Sequence, residues 1–126
     1  MIVVDASAAL SALLNDGPAR KMLSAEALHV PHLVDSEITS GLRRRTLAGQ
    51  LEPSAAWDAL STWQQLGMTR YPVVSLLDRI WDLRANVSAY DATYVALAEQ
   101  LQCALLTGDH RLARAPGITC PVTTIS

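Results

Sequence analysis

The 126-residue sequence has little of several residues on which whole classes of protein depend. Its two cysteines, Cys103 and Cys120, are too few for a disulfide framework, and they form no C-x-x-C pair for zinc or thiol-redox chemistry. Cys103 lies in an apolar run and is expected to be a small buried hydrophobe. The apolar runs are far too short to cross a bilayer, and the amino terminus does not resemble a secretory leader. We therefore expect a soluble cytoplasmic protein.

Lysine is almost absent: nine of the ten basic residues are arginines, and Lys21 is the exception. A phosphorylated receiver domain needs a lysine at the end of a late strand, whereas Lys21 falls in an early predicted helix. The first predicted strand ends in "DAS", not in the D-x-D of haloacid-dehalogenase-type phosphatases, and no glycine-rich phosphate loop is present. The formal charge of -2 gives no overall attraction to nucleic acid, so such binding would require a local basic patch.

What the sequence does contain is a regular alternation of short apolar runs and helical segments. Half of the residues are hydrophobic and 17% are charged, which fits one compact domain over residues 1–126. Strands are predicted at "MIVV", "ALHVP", "TRYPVVSL", "CALLTGD" and "GITCPVTTIS", with helices between them. This alternation predicts an α/β fold, a three-layer α/β/α sandwich around a mainly parallel sheet of four to five strands.

Two acidic residues follow predicted strands directly. Asp5 closes the first strand, and Asp109 comes one glycine after "CALLT". In open parallel sheets, ligands bind outside the carboxyl ends of the strands, so both carboxylates are candidates for a site. The alternative for each is local, because aspartate is also a common helix cap and turn residue.

Glu37 lies on the predicted helix that begins near Pro31. Val34, Ile38 and Leu42 define the buried stripe of that helix, and Glu37 falls on it or beside it. A carboxylate at such a position needs a partner. The structural alternative to a site is an ion pair with Arg44, two turns further along the helix.

Asp91 begins the apolar face of a later predicted helix, "SAYDATYVALAEQLQ". Ser88 and Asp91 also have the S-x-x-D spacing of a capping box, and the alternative to a site is that Asp91 serves only to begin the helix. Four other acids fall where a solvated helix face is the simpler interpretation: Asp35, Asp58, Asp78 and Asp82.

If the four candidate acids converge, a divalent cation is the expected partner. Two like charges about 4 Å apart repel by roughly 4 kcal/mol at an effective dielectric near 20, and Mg²⁺ or Mn²⁺ would remove that cost. The hydroxyls of Ser7 and Thr107 are candidates for orienting Asp5 and Asp109. The alternative is that both hydroxyls only cap local turns.

Four segments together resemble the acidic motifs of PIN domains in order and approximate spacing: "VVDASAALSALL", "HLVDSEITSGL", "SAYDATYVALAE" and "LLTGDHRLA". The small size resembles the VapC-type ribonuclease toxins of bacterial toxin–antitoxin modules, and the likeness covers nearly the whole chain. Many relatives have an aromatic residue just after the last motif, where this chain has Leu112. The sequence contains no phenylalanine.

The resemblance implies a metal-dependent endoribonuclease in which Asp5 and Asp91 are the principal ligands of Mg²⁺ or Mn²⁺. Glu37 and Asp109 would complete the pocket or activate water, and cleavage would leave a 5′-phosphate and a 3′-hydroxyl. A VapB-like antitoxin and a homodimer are the implied partners. The rival function is a catalytically silent PIN-like domain that binds RNA or a partner.

RNA would be held by arginines near the acids. Arg43, Arg44 and Arg45 form a run that follows Glu37. Two more arginines, Arg84 and Arg111, lie near Asp91 and Asp109. For the run of three, a solvated helix face is an equally acceptable interpretation.

Two tryptophans on one predicted helix, Trp57 and Trp63, are expected to pack in the core. A groove for a partner helix is a second interpretation of Trp57.

Overall fold

The computed structural model describes residues 1–125 and contains a five-stranded sheet in the order β3-β2-β1-β4-β5. Every neighbouring pair of strands is parallel. The strands are β1 (Ile2–Val4), β2 (Leu28–Pro31), β3 (Met68–Tyr71), β4 (Ala104–Thr107) and β5 (Val122–Thr124). The helices are α1 (Ala6–Leu14), α2 (Pro18–Ala25), α3 (Leu33–Leu47), α4 (Pro53–Gln65), α5 (Leu77–Asp82) and α6 (Ala89–Leu101), with short 3₁₀ turns at Val74–Leu76 and Leu112–Arg114.

The helices form two layers, which confirms the predicted three-layer α/β/α fold. Helices α1 to α4 contact one another, whereas α5 packs on α6 and α6 covers β1, β2 and β4. Strand β1 lies between β2 and β4, so the chain runs outward from β1 in both directions. Such a reversal of strand order leaves a crevice at the carboxyl edge of the sheet, beside the end of β1.

The core consists of aliphatic strand residues and the inner faces of the helices. Val3, Val4, Leu105 and Leu106 are fully buried, as expected for parallel strands covered on both faces. Cys103 is also buried, as predicted. None of the helices within residues 1–125 is long and apolar enough to cross a membrane.

The two tryptophans of α4 have different environments. Trp63 is 1% exposed and lies in the core, as predicted, but Trp57 is 62% exposed, so its assignment to the core is wrong. Their spacing explains the difference, because residues six apart on a helix point in different directions. The second interpretation of Trp57, contact with a partner helix, stays a prediction.

Two predicted strands are shorter in the structure. The third ends at Tyr71, because Pro72 has no N–H to continue the ladder, and "VSL" forms a 3₁₀ turn. The last strand covers only Val122–Thr124; Gly117, with φ of 83°, turns the chain before it. The final residue of the predicted segment, Ser126, lies outside the described residues.

Asp35 is not merely a solvated residue, which corrects the interpretation made from the helix pattern. Its carboxylate accepts hydrogen bonds from Arg70 Nε at 2.8 Å, Arg70 Nη2 at 2.9 Å and Trp63 Nε1 at 2.7 Å. The arginine is the main reason that the pKa of Asp35 is lowered. The contacts join α3 to β3 and α4, and the periodicity of a single helix cannot reveal partners that come from two later elements.

A second ion pair joins α5 to α6. Arg79 donates from Nε to Glu99 Oε1 at 2.6 Å and from Nη2 to Oε2 at 3.1 Å, and it also reaches the carbonyl oxygen of Gly117 at 2.6 Å. Thr119 donates to Glu99 from its backbone N–H and its hydroxyl. The Glu99 side chain is 11% exposed, so loss of the arginine would leave a poorly solvated carboxylate.

We therefore expect Arg79→Ala to lower the free energy of unfolding by about 2 kcal/mol, the range for hydrogen bonds to charged groups. Urea unfolding at neutral pH measures the change. Arg43→Ala is the matched control, because Arg43 is exposed and should change stability by less than about 0.5 kcal/mol. Equal midpoints for the two variants would show that the Arg79 pair behaves as an ordinary surface ion pair.

Candidate active site

The four predicted acids line one open pocket at the carboxyl edge of the sheet: Asp5, Glu37, Asp91 and Asp109. Asp5 follows β1 and Asp109 comes shortly after β4, and these two strands are direct neighbours in the sheet. Glu37 reaches the pocket from α3, and Asp91 reaches it from the first turn of α6. Four sequence-distant carboxylates are thus brought together, while their chemical roles stay predictions.

Asp5 is the most enclosed of these acids, at 6% exposure. Its Oδ1 caps α1 by accepting the N–H of Ala8 at 3.0 Å, and it accepts the Ser7 hydroxyl at 2.6 Å. Its Oδ2 accepts the hydroxyl of Thr107. A carboxylate has about four acceptor positions, so these three bonds orient Asp5 and still leave capacity toward the pocket. Burial nevertheless raises the pKa of Asp5, because desolvation outweighs the hydrogen bonds that favour the anion.

The two predicted supporting hydroxyls connect Asp5 to the loop after β4. Ser7 Oγ accepts the N–H of Gly108 at 2.8 Å, and Thr107 Oγ1 accepts the N–H of Asp109 at 3.0 Å. A Cβ atom at Gly108 would stand 3.2 Å from Ser7 Oγ, so a residue without a side chain permits this close approach. Both hydroxyls therefore hold the Asp5 side chain, but for Asp109 the contact is with its backbone.

Glu37 is held by a residue that the sequence analysis missed. The Tyr94 hydroxyl donates to Glu37 Oε1, and the tyrosine itself is only 2% exposed. The pKa of Glu37 is raised, first by burial and then by the charges of Asp5 and Asp91, against the lowering effect of the tyrosine. Tyr94 follows Asp91 by three residues, a spacing that places both on one helix face and could have indicated its position. The alternative partner, Arg44, has a weaker, through-space effect on Glu37.

Asp91 does not itself cap α6. Ser88 is the capping residue, since its hydroxyl oxygen accepts the N–H of Asp91 at 3.1 Å. The predicted S-x-x-D pattern is therefore present as a backbone cap, while the Asp91 carboxylate lines the pocket. Its pKa is raised by burial and by the neighbouring charges of Asp5 and Asp109.

Asp109 differs from the other three acids because its charge is already paired. Arg111 donates to it from Nη2 at 3.1 Å, from Nε at 3.2 Å and from the backbone N–H at 2.9 Å. These bonds lower the pKa of Asp109, so it stays ionised where its neighbours more readily hold protons. The pocket therefore has three carboxylates with raised pKa values and a fourth, Asp109, that is paired with Arg111.

The donor set fits a hard divalent cation. Asp5, Glu37 and Asp91 offer oxygen ligands. A cation would favour the ionised form of Glu37 and Asp91, whose pKa values are raised by burial and by neighbouring charges. Within residues 1–125, no three or more Asp, Glu, His or Cys side chains are placed to hold one metal ion. An ion held by one or two of these carboxylates would take its other ligands from water or substrate phosphate, as Mg²⁺ commonly does.

The candidate RNA-binding arginines divide into two groups. Arg44 and Arg45 line the pocket beside Ser40, and Arg111 lies in an adjoining pocket that Asp91 and Asp109 also line. The other two, Arg43 and Arg84, line neither pocket. Arg84 instead stacks on the Trp81 ring, with its guanidinium carbon 4.5 Å from the ring centroid.

Comparison with known proteins agrees with this geometry. The family model described as "PIN domain" matches residues 2–118. The chain is 62% identical over 125 residues to ribonuclease VapC9 of Mycobacterium tuberculosis, covering 99% of this chain and 98% of the relative. The chain belongs to the PIN-domain family and is of the VapC ribonuclease-toxin type, as the four acidic motifs indicated.

Solved structures share the fold at lower identity. The sarcin–ricin-loop-cleaving toxin VapC20 of Mycobacterium tuberculosis superposes with a TM-score of 0.70 at 20% identity, covering 94% of this chain and 97% of that one. A toxin–antitoxin complex from Klebsiella pneumoniae gives a TM-score of 0.69 at 19% identity, with 98% and 97% coverage. At these identities the likeness is one of fold.

Proposed function

We propose that this protein is a metal-dependent endoribonuclease that acts as the toxin of a VapBC-type toxin–antitoxin module. It would hydrolyse phosphodiester bonds of tRNA, rRNA or mRNA and thereby inhibit translation. The observation that carries the proposal is the convergence of Asp5, Glu37 and Asp91 in one pocket, with raised pKa values and with Arg44 and Arg45 beside them. The proposal is further supported by the full-length similarity to a named VapC ribonuclease.

The residues of the pocket are proposed to have separate roles in binding the metal ion and in activating water. Asp5 and Asp91 are proposed to hold Mg²⁺ or Mn²⁺, which when bound stabilises developing charge on the phosphate and lowers the pKa of coordinated water. Ser7 and Thr107 keep Asp5 in one orientation through their hydroxyl hydrogen bonds. Glu37 is proposed to orient the attacking water and accept its proton as the water oxygen bonds to phosphorus. The bond between phosphorus and the 3′ oxygen breaks, and the 3′ oxygen takes a proton from solvent, which leaves a 5′-phosphate and a 3′-hydroxyl.

The proposed partners follow from the same family membership. The Klebsiella pneumoniae relative in fold is a toxin–antitoxin complex, and we propose that a VapB-like antitoxin and a second copy of the chain bind this protein. Trp57, exposed on α4, is a candidate contact for the antitoxin because aromatic residues are enriched in such interfaces. Loss of antitoxin binding in Trp57→Ala, with unchanged RNA cleavage, would support that contact.

The experiment that tests the proposed activity is cleavage of mixed cellular RNA by purified, antitoxin-free protein, with the cut ends mapped. We expect discrete cuts with Mg²⁺ or Mn²⁺, ending in 5′-phosphate and 3′-hydroxyl, that disappear with EDTA and in Asp91→Asn. If RNA or a partner is bound but never cut under any metal, the protein is instead a catalytically silent PIN-like binding domain.

The pocket arginines can be tested separately from chemistry. We expect Arg44→Ala to reduce the slope of log affinity for RNA against log salt by about 0.7, the value for one lost phosphate contact on a single strand. Arg43→Ala is the matched control, because it removes the same charge from a neighbouring position that does not line the pocket. Equal slopes for the two variants would indicate a diffuse charge effect and no contact at Arg44.

A further inference from the structure

Tyr94 lies between the hydrophobic core and the pocket. Its side chain is almost completely buried, and its hydroxyl reaches the pocket and donates to Glu37. It belongs to α6, one turn after Asp91, and Glu37 belongs to α3. The phenol therefore connects the two helices that carry two of the four candidate acids.

A tyrosine is suited to this position in a way that phenylalanine would not be. Burial and the neighbouring Glu37 carboxylate raise the pKa of Tyr94 well above its usual value, so its hydroxyl remains a donor at any ordinary pH. Within residues 1–125, it is the hydrogen-bond donor to the Glu37 side chain. The bond engages Oε1 and leaves Oε2 available to the pocket.

The bond also opposes the forces that would protonate Glu37. Burial and the charges of Asp5 and Asp91 favour the neutral acid, while the tyrosine hydroxyl favours the anion. Removal of the hydroxyl would thus free the Glu37 carboxylate to change its direction relative to Asp91.

We propose that Tyr94 is a positioning residue for the nuclease site, whose hydroxyl fixes the Glu37 carboxylate relative to Asp91. The inference rests on the proposed function and deepens it, since it assigns a role to a residue that does not itself touch RNA. Its effect on catalysis is expected to pass entirely through Glu37.

Tyr94→Phe tests the inference because it keeps the buried ring and removes only the hydroxyl. We expect kcat for a defined RNA to fall by about 10-fold or more, the usual effect of losing a supporting partner, with KM within about two-fold of the wild-type value. Tyr71→Phe is the matched control: it removes a phenol that makes a 2.6 Å hydrogen bond with His29 outside the pocket, and kcat should not change.

A double-mutant cycle separates positioning from packing. If Tyr94 acts through Glu37, adding Tyr94→Phe to Glu37→Gln should lower kcat by less than about two-fold more. The affinity of RNA-free protein for Mn²⁺, measured by calorimetry, supplies a readout independent of cleavage. We expect it to weaken by about 10-fold in each single variant and no further in the double variant.

The outcomes distinguish this inference from the proposed function. Wild-type kcat and Mn²⁺ affinity in Tyr94→Phe, or fully additive losses in the double variant, would overturn the role of Tyr94 while leaving a metal-dependent nuclease in place. If wild-type protein cleaves no RNA with either metal, the proposed function and this inference fall together.

Discussion

Asp5→Asn is expected to abolish metal-dependent RNA cleavage while leaving the protein folded. Asparagine retains an oxygen that can cap α1, and it is as good a helix cap as aspartate. It removes the buried negative charge, however, and with it the strongest oxygen ligand that Asp5 could offer a cation. We expect kcat to fall by about 100-fold or more, above the effect of losing an outer-shell partner.

The stability of Asp5→Asn should stay close to that of the wild type although its activity is lost. Burial raises the pKa of Asp5, which means that the charged form is disfavoured in the folded protein. We therefore expect the metal-free variant to be as stable as the wild type within about 1 kcal/mol, as measured by urea unfolding at neutral pH. Asp58→Asn, at an exposed site on α4, should change neither property. Full activity in Asp5→Asn would refute its assignment as a ligand.

The second large effect is stabilisation of the folded protein by a divalent cation, and we expect it to depend on pH. The native pKa values of Asp5, Glu37 and Asp91 are raised. In the metal-free protein, these groups stabilise the fold fully at pH values below their unfolded pKa values, which are 3.8 for aspartate and 4.5 for glutamate. That contribution to the free energy of unfolding is lost as pH rises through the native pKa values. We expect a cation to reverse the trend, because it would bind the ionised carboxylates that burial disfavours in the metal-free fold.

At neutral pH, Mn²⁺ at 100 times its dissociation constant should add about 2.7 kcal/mol to the free energy of unfolding. The gain should shrink toward acidic pH, where protons compete for the same oxygens. Thermal or urea unfolding with Mn²⁺ and with EDTA, at about pH 5 and about pH 7.5, measures the difference. A gain that is equal at both pH values and also present in Asp5→Asn would place the ion elsewhere.

Acidic groups with lowered native pKa values change stability with pH in the opposite sense, but they do not obscure the comparison of Mn²⁺ with EDTA. Asp35, Glu99 and Asp109 have lowered native pKa values, so their contribution to stability is present above the unfolded values and is lost as pH falls through the native ones. Asp35 and Glu99 lie outside the pocket, so their contribution to stability is the same with and without the cation. Asp109 lines the pocket and belongs to the group of carboxylates that the comparison measures. The difference between the Mn²⁺ and EDTA curves therefore isolates the pocket carboxylates.

The features that could be predicted from the sequence are those with local signals. Apolar runs that end in a carboxylate predicted β1 and β4, and the parallel sheet then required that Asp5 and the loop carrying Asp109 lie at one edge. The buried stripe of α3 placed Glu37 at the margin of the core. These inferences depend only on periodicity and on the geometry of parallel strands.

The features that could not be predicted are side-chain pairings between distant elements. The spacing of Tyr94 from Asp91 indicates the helix face on which it lies, but an ordinary core tyrosine would fit that face equally well. Its contact with Glu37, 57 residues earlier, therefore has no local signal. The same holds for Asp35 and its partners on β3 and α4. Such contacts depend on how helices are placed across the sheet, which patterns within single elements do not specify.

The central claim is that the pocket holds a divalent cation, and crystals of the protein grown with Mn²⁺ test it most directly. Anomalous scattering from manganese locates the ion without assumptions about activity. We expect a peak between Asp5 and Asp91, bonded to at least one carboxylate oxygen of each, with water in other positions. Saturating Mn²⁺ with no peak in the pocket, or with the ion bound only by other residues, would contradict the account.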